Sequence, residues 1–149
     1  MISAKKILIF VSIVLIVTVC YLSNIIIQQN KSTHRLQEEN SSTYIHSLEQ
    51  IADRILEYEK SKDEVSLRNA STWAGKAAIS SKNMSLEKKQ YLAPLAIFLD
   101  EFFANTTRPD TAAKNGKIYK LIPCLIDVAN NPNNQEKIDD LTHALQGAY

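Results

Sequence analysis

Three histidine–carboxylate pairs are the residues of this chain best suited to metal chemistry. Each pair has a spacing of three or four residues, which places both side chains on one helix face: His34 with Glu38, His46 with Glu49, and Asp140 with His143. Zinc requires three or four ligands, and none of the pairs has a further ligand nearby in the sequence. The Glu-x-x-His order of di-iron bundles is also missing. We therefore interpret the pairs as charged surface neighbours, and we expect no metal and no cofactor.

Acid–base catalysis would require two carboxylates in a dry pocket. Acidic residues occur side by side three times, and sequence neighbours point to different faces of a helix: Asp63–Glu64, Asp100–Glu101 and Asp139–Asp140. Cys124 has no Cys–His pattern around it, and we interpret it as a small buried residue. No Gly-x-Ser-x-Gly turn and no glycine-rich phosphate loop is present. These patterns predict no catalytic residue.

The helices predicted to carry these histidines, carboxylates and Cys124 come after a long apolar run in the sequence. Residues 7–27 contain no charged side chain, and a helix of that length spans roughly 31 Å, which matches a hydrocarbon core of about 30 Å. The run lacks the polar face of a soluble core helix. It is also longer than the apolar region of a signal peptide and lacks a good cleavage site. The sequence predicts a transmembrane helix at 7–27 that contacts the lipid bilayer.

Basic residues on both sides of the run determine its expected orientation. Lys5 and Lys6 lie in a short tail, residues 1–6, whereas Lys31 and Arg35 follow the run. The count is nearly balanced under the rule that basic residues stay inside. A short basic segment ahead of a long apolar run is typical of a signal anchor. We therefore expect a single-pass protein with its N-terminus inside and its C-terminal domain outside.

The charge of the chain excludes one class of partner. It has 17 basic and 16 acidic residues, a net charge of +1. Nucleic-acid binding normally requires a clustered basic surface, and no such cluster is present. We expect no nucleic-acid partner. Cys20 lies in the apolar run, far from Cys124, and so we expect no disulfide framework.

Beyond a stalk or linker at residues 28–43, apolar residues recur at helical spacing. Strand patterns are missing, because no alternating Val/Ile/Thr run is bounded by Asn-Gly turns. The sequence predicts an all-α fold, in which a single N-terminal transmembrane helix is followed by a bundle of four to five short helices at 44–149. The predicted inner faces are Tyr44, Leu48, Ile51, Ile55 and Tyr58; Leu67, Ala70, Ala74, Ala77 and Ala78; Tyr91, Leu92, Leu95, Phe98, Leu99, Phe102 and Phe103; Ile118, Leu121, Ile122, Leu125, Ile126 and Ala129; and Ile138, Leu141 and Leu145.

Polar residues predict where these helices begin. The cluster at residues 40–43 indicates a break and an N-cap region. Ser61 and Glu64 fit a capping box that opens the second helix of the bundle. Ser85 and Asn133 are the expected N-caps of the third and last helices.

Prolines and glycines predict further boundaries. Pro94 indicates a kink or a late start in the third helix, and Pro123 interrupts the fourth apolar face. Pro109 suits the first turn of a short helix. Gly116 would close that helix, and the run at residues 130–134 is a turn.

No pattern indicates a specific molecular activity. The anchor, the near-neutral helical domain and the lack of catalytic motifs favour a membrane-anchored, extracytoplasmic interaction or accessory module with an unknown protein partner. Cleavage near Cys20 or Ser23 would instead release a soluble secreted binding or inhibitory factor. An enzyme that acts on envelope material is a third, less favoured alternative.

Overall fold

The fold is all-helical in the part of the chain that the computed structural model describes, residues 4–105 and 107–149, with no strand there. This confirms the all-α part of the predicted fold class. Two compact units divide at Arg35 and Leu36. The described elements are α1 (Ala4–Ser61), α2 (Glu64–Ser81), α3 (Lys89–Ala104), α4 (Thr107–Lys114), a 3₁₀ turn (Ile118–Lys120), α5 (Leu121–Asn130) and α6 (Gln135–Ala148).

The first unit contains the apolar part of α1. Residues 1–3 of the predicted inner tail lie outside the described residues, and residues 4–6 belong to α1. Over its most apolar 18 residues α1 has a mean hydropathy of 2.5, and none of that stretch is buried. Most large apolar side chains there are exposed, from 49% at Val14 to 68% at Phe10. Among the described helices, this one is long and apolar enough to cross a membrane.

The predicted break at residues 40–43 is wrong, because α1 continues through it to Ser61. Its serines bond to carbonyl groups of the preceding helical turn instead of capping a new helix. Ser41 Oγ donates to the Gln37 carbonyl at 2.8 Å, and Ser47 Oγ donates to the Thr43 carbonyl at 2.7 Å. A hydroxyl satisfied in this way is compatible with a helix interior.

Two predicted N-caps are replaced by neighbouring residues. The Ser61 capping box is wrong, since Ser61 still belongs to α1, and Asp63 caps α2 by accepting a hydrogen bond from the Val65 N–H at 2.9 Å. Asn134, rather than Asn133, caps α6 through the Lys137 N–H. Both caps are short polar side chains, as expected at this position, but their register differs from the predicted one.

Ser85 does not cap α3, because it bonds to α1 instead. Its N–H donates to Ser41 Oγ at 2.8 Å, and the two hydroxyls lie 3.0 Å apart. The helix begins at Lys89, five residues before Pro94, so Pro94 lies inside α3 and the predicted late start at this proline is wrong. The N–H and the hydroxyl of Ser85 therefore contact α1, and no side chain caps α3 at Lys88.

The prolines of α4 and α5 lie in first turns. Pro109 and Pro123 are each the third residue of their helix, where a backbone N–H would have no helical partner. The predicted interruption at Pro123 is therefore wrong. Gly116 ends the α4 segment at a φ of 69°, a left-handed conformation that glycine adopts readily.

The second unit has one hydrophobic core, built from the inner faces of all its helices. The predicted faces are confirmed at most positions, including the whole set from Tyr44 to Tyr58. Tyr91 and Ile126 are corrections, since they are 44% and 38% exposed. Gly75 on α2 lies beside α3, because a Cβ added there would be 3.4 Å from Asp100 Oδ1, an ordinary van der Waals distance.

Candidate interaction surface

The histidines do not form a metal site in the part of the molecule that is described. His34, His46 and His143 are exposed, and His46 Nδ1 lies 3.5 Å from Glu49 Oε2 in a surface pair. No group of three or more His, Cys, Asp or Glu side chains able to hold a metal ion occurs within residues 4–105 and 107–149.

The acidic pairs and Cys124 have structural surroundings. Asp63 is used as a helix cap, and Asp100 is half-buried whereas Glu101 is exposed, so this pair faces two directions. Cys124 packs against the core. Burial raises the pKa of its thiol, which lowers the fraction of the reactive thiolate at neutral pH.

Trp73 lies at the rim of the core between two side chains of the same bundle. The His46 ring meets it edge-on, with centroids 5.3 Å apart, and Lys76 Nζ lies 3.7 Å from the indole centroid. The Lys76 contact is a cation–π interaction. Because its own neighbours cover it in this way, Trp73 stabilises the α1–α2 contact and is a poor candidate for a ligand anchor.

A groove between α3 and α6 is an apolar depression on the described surface. We call it the aromatic groove. It has a volume of about 400 Å³. On α3 the apolar wall combines exposed or partly exposed residues with the buried Leu95, and on α6 the buried Ile138 closes the groove. Its lining residues are Gln90, Tyr91, Pro94, Leu95, Phe98, Ile138, Asp139 and Thr142.

Tyr149 extends the apolar surface beyond the groove. Its ring stacks on Phe98 with centroids 4.8 Å apart and an angle of 14°. Arg108 Nη1 donates to the Tyr149 hydroxyl at 2.6 Å, and its guanidinium lies over the same ring at 4.4 Å. Tyr149 is 48% exposed and Ile97 nearby on α3 is also 48% exposed. The aromatic rings are thus held in place while one side stays open to solvent.

Charge on the groove is confined to its edges. Asp139 is exposed on α6 and accepts a hydrogen bond from Gln135 Nε2 at 2.9 Å. Lys88 Nζ lies 5.9 Å from the Tyr91 ring. An apolar centre with tyrosine and phenylalanine, surrounded by a polar rim, is a composition that protein–protein contact surfaces often show.

The apolar pattern of the sequence does not reveal this groove. It places Tyr91 and Phe98 on the inner face of the third helix, because they continue its apolar periodicity. In the structure, the buried side of α3 is the one that carries Leu92 and Leu99. Tyr91 is therefore exposed, and Phe98 is half-buried. The seven apolar residues of α3 form a face that is wider than the surface covered by the neighbouring helices. The unusual width of this face was the feature of the sequence that could have indicated an exposed apolar surface.

Comparison of the chain with protein-family models, with curated proteins and with solved structures gave no match.

Proposed function

We propose that the chain is a membrane-anchored interaction module. The apolar part of α1 lies in the bilayer as a single span, and the helical bundle is presented on the extracytoplasmic side to a protein partner. The observation that supports the anchor is the exposure of its large apolar side chains. Side chains such as Phe10 and Leu15, 68% and 60% exposed, are stable in lipid, whereas in water they would remain an uncovered apolar surface.

The partner we propose is an amphipathic helix that lies in the aromatic groove. A groove between two helices accepts the apolar face of a third helix through anchors at i, i+3, i+4 and i+7. Tyr91 and Phe98 are seven residues apart, which corresponds to about 10.5 Å along α3 and to two turns of the incoming helix. Because Asp139 at the edge of the groove is negatively charged, we expect a lysine or arginine beside the apolar anchors of the partner helix.

Membrane fractionation of the full-length chain tests the anchor. We expect the intact mass in the membrane pellet after alkaline extraction, and we expect protease to reach the bundle only from the extracytoplasmic side. Val14→Arg with Leu15→Arg should shift the protein to the soluble fraction, because each arginine at a span centre costs roughly 2.5–3.5 kcal/mol. Leu36→Arg is the matched control outside the span.

Fractionation also decides between the anchor and the secreted alternative. A soluble species that lacks the apolar run would show that the segment is a cleaved signal, and the proposal of a permanent anchor would fail. Intact protein in the pellet with a protease-resistant bundle would leave the anchor standing and reverse the proposed orientation.

Photo-cross-linking tests the groove in the native membrane. A photoreactive residue in place of Tyr91 should form a covalent product with a segment that has helical apolar spacing and a basic residue. Asp139→Lys should lower the yield of that product, whereas Asp140→Lys, which adds the same charge outside the groove, should not. Cross-links only to lipid or to a second copy of the chain would refute the proposed occupant.

A further inference from the structure

A second cavity lies where α2, the end of α3 and α4 meet. Its volume is about 310 Å³, at the lower end of the range for small-molecule sites. Leu67, Phe103 and Pro109 form an apolar floor, and each of them is buried. This volume is sufficient for a small molecule, and the charged side chains at this cavity distinguish it from the aromatic groove.

Opposite charges line the same cavity without neutralising each other. Glu64 and Arg68 are one turn apart on α2, a spacing at which acidic and basic side chains commonly pair. No ion pair between them is present, and neither forms one with any other residue that the structure describes. Both side chains are exposed, and their charged groups are therefore available to a ligand.

The third charged side chain of the cavity is already engaged. Asp110 Oδ2 lies 2.7 Å from Lys114 Nζ, and this contact raises the pKa of the lysine. Glu64 also raises the pKa of Lys114 but forms no ion pair with it, so Glu64 is the carboxylate that we assign to a ligand cation. Ser71, on the turn after Arg68, also lines the cavity and supplies a neutral hydroxyl.

We propose that this cavity binds a small zwitterion with an aliphatic side chain, of the α-amino acid class. Arg68 receives the carboxylate, Glu64 receives the ammonium group, and the side chain covers the floor at Leu67 and Phe103. A simple anion would approach two carboxylates, Glu64 and Asp110. A simple amine would leave Arg68 facing an uncharged atom. Only a ligand that carries both charges pairs with both side chains of α2.

Calorimetric titration of the full-length chain in detergent micelles tests the site. The probes are L-leucine and the two molecules that each lack one of its charges, 3-methylbutylamine and 4-methylpentanoate. We expect L-leucine to bind at least about tenfold more tightly than either, because a charge-assisted hydrogen bond contributes that much to affinity. Equal affinity for one of the single-charge probes would overturn the zwitterion assignment.

Two variants assign the roles of the charged side chains. Glu64→Gln should weaken L-leucine binding by about tenfold and leave 4-methylpentanoate binding unchanged or stronger. Arg68→Gln should weaken L-leucine and leave 3-methylbutylamine unchanged. Glu59→Gln, an exposed change on α1 outside the cavity, is the control. The proposal would be refuted if none of the three probes bound with a Kd below about 10 mM. It would also be refuted if both Glu64→Gln and Arg68→Gln bound L-leucine as tightly as the control variant does.

Discussion

Leu99→Ala is the sharpest test of the bundle core. Leu99 is fully buried on the inner face of α3, within the core cluster that joins α1, α2 and α3. The substitution removes three carbon atoms. At about 0.8 kcal/mol for each buried CH₂, the lost burial alone is about 2.4 kcal/mol, and the cavity left behind adds to it. We expect the free energy of unfolding to fall by about 3 kcal/mol.

That loss corresponds to a clear shift in melting temperature. Unfolding entropy is about 2.1 cal/mol/K per residue, which for a unit of about 110 residues gives about 0.23 kcal/mol/K. A loss of 3 kcal/mol therefore lowers the Tm by roughly 13 °C. Trp73 fluorescence is a suitable readout in the full-length chain, because the indole packs at the rim of the core and the helical signal of the span does not interfere.

Ile97→Ala supplies the control on the same helix. Ile97 is 48% exposed, so its truncation removes much less buried surface, and alanine is a better helix former than isoleucine. We expect a loss below about 1 kcal/mol. Equal destabilisation by the two changes, or a Leu99→Ala variant that melts like the wild type, would refute the packing of α3 described above.

Two further predictions concern the backbone and a buried hydroxyl. Gly116→Ala should destabilise the chain by about 1 kcal/mol, because the φ of Gly116 is positive. The control Gly147→Ala, in α6 with open space around it, should be neutral or stabilising. Changes of the same sign in the free energy of unfolding, measured by urea denaturation, would contradict this. Burial raises the pKa of Tyr44 above the ordinary value for tyrosine, so above pH of about 10 the unfolded chain loses this proton first, and stability falls by at most ~1.4 kcal/mol per pH unit. Tyr44→Phe should reduce that fall, and parallel stability profiles of wild type and variant between pH 8 and 11 would contradict it, since those values bracket the ordinary tyrosine pKa.

Apolar periodicity predicted the inner faces of the bundle at most positions, with Tyr91 and Ile126 as exceptions. Leu48, Ile55, Ala74 and Leu99 are all buried, as their spacing indicates. Burial follows from the residue type and from the 3.6-residue repeat, and both are local properties of the sequence. The all-α class follows from the same repeat, together with the lack of strand patterns.

Helix boundaries were less predictable, because serine has two ways to satisfy its hydroxyl. It caps a new helix, or it donates to a carbonyl of the preceding turn within a continuing helix. Ser41 and Ser61 adopt the second solution, and Asp63 takes over as the cap. Which solution is lower in free energy depends on contacts such as that between Ser41 and Ser85, which are 44 residues apart.

The amino-acid sequence by itself determined an apolar helix of membrane-spanning length and a small helical domain without a local catalytic motif. Only the tertiary structure decided which side chains meet at the surface. Arg108 and Tyr149 are 41 residues apart and bond directly, while Glu64 and Arg68 are one turn apart and do not pair. Periodicity specifies which face of a helix is apolar. How much of that face is covered by neighbouring helices depends on how all the helices pack together.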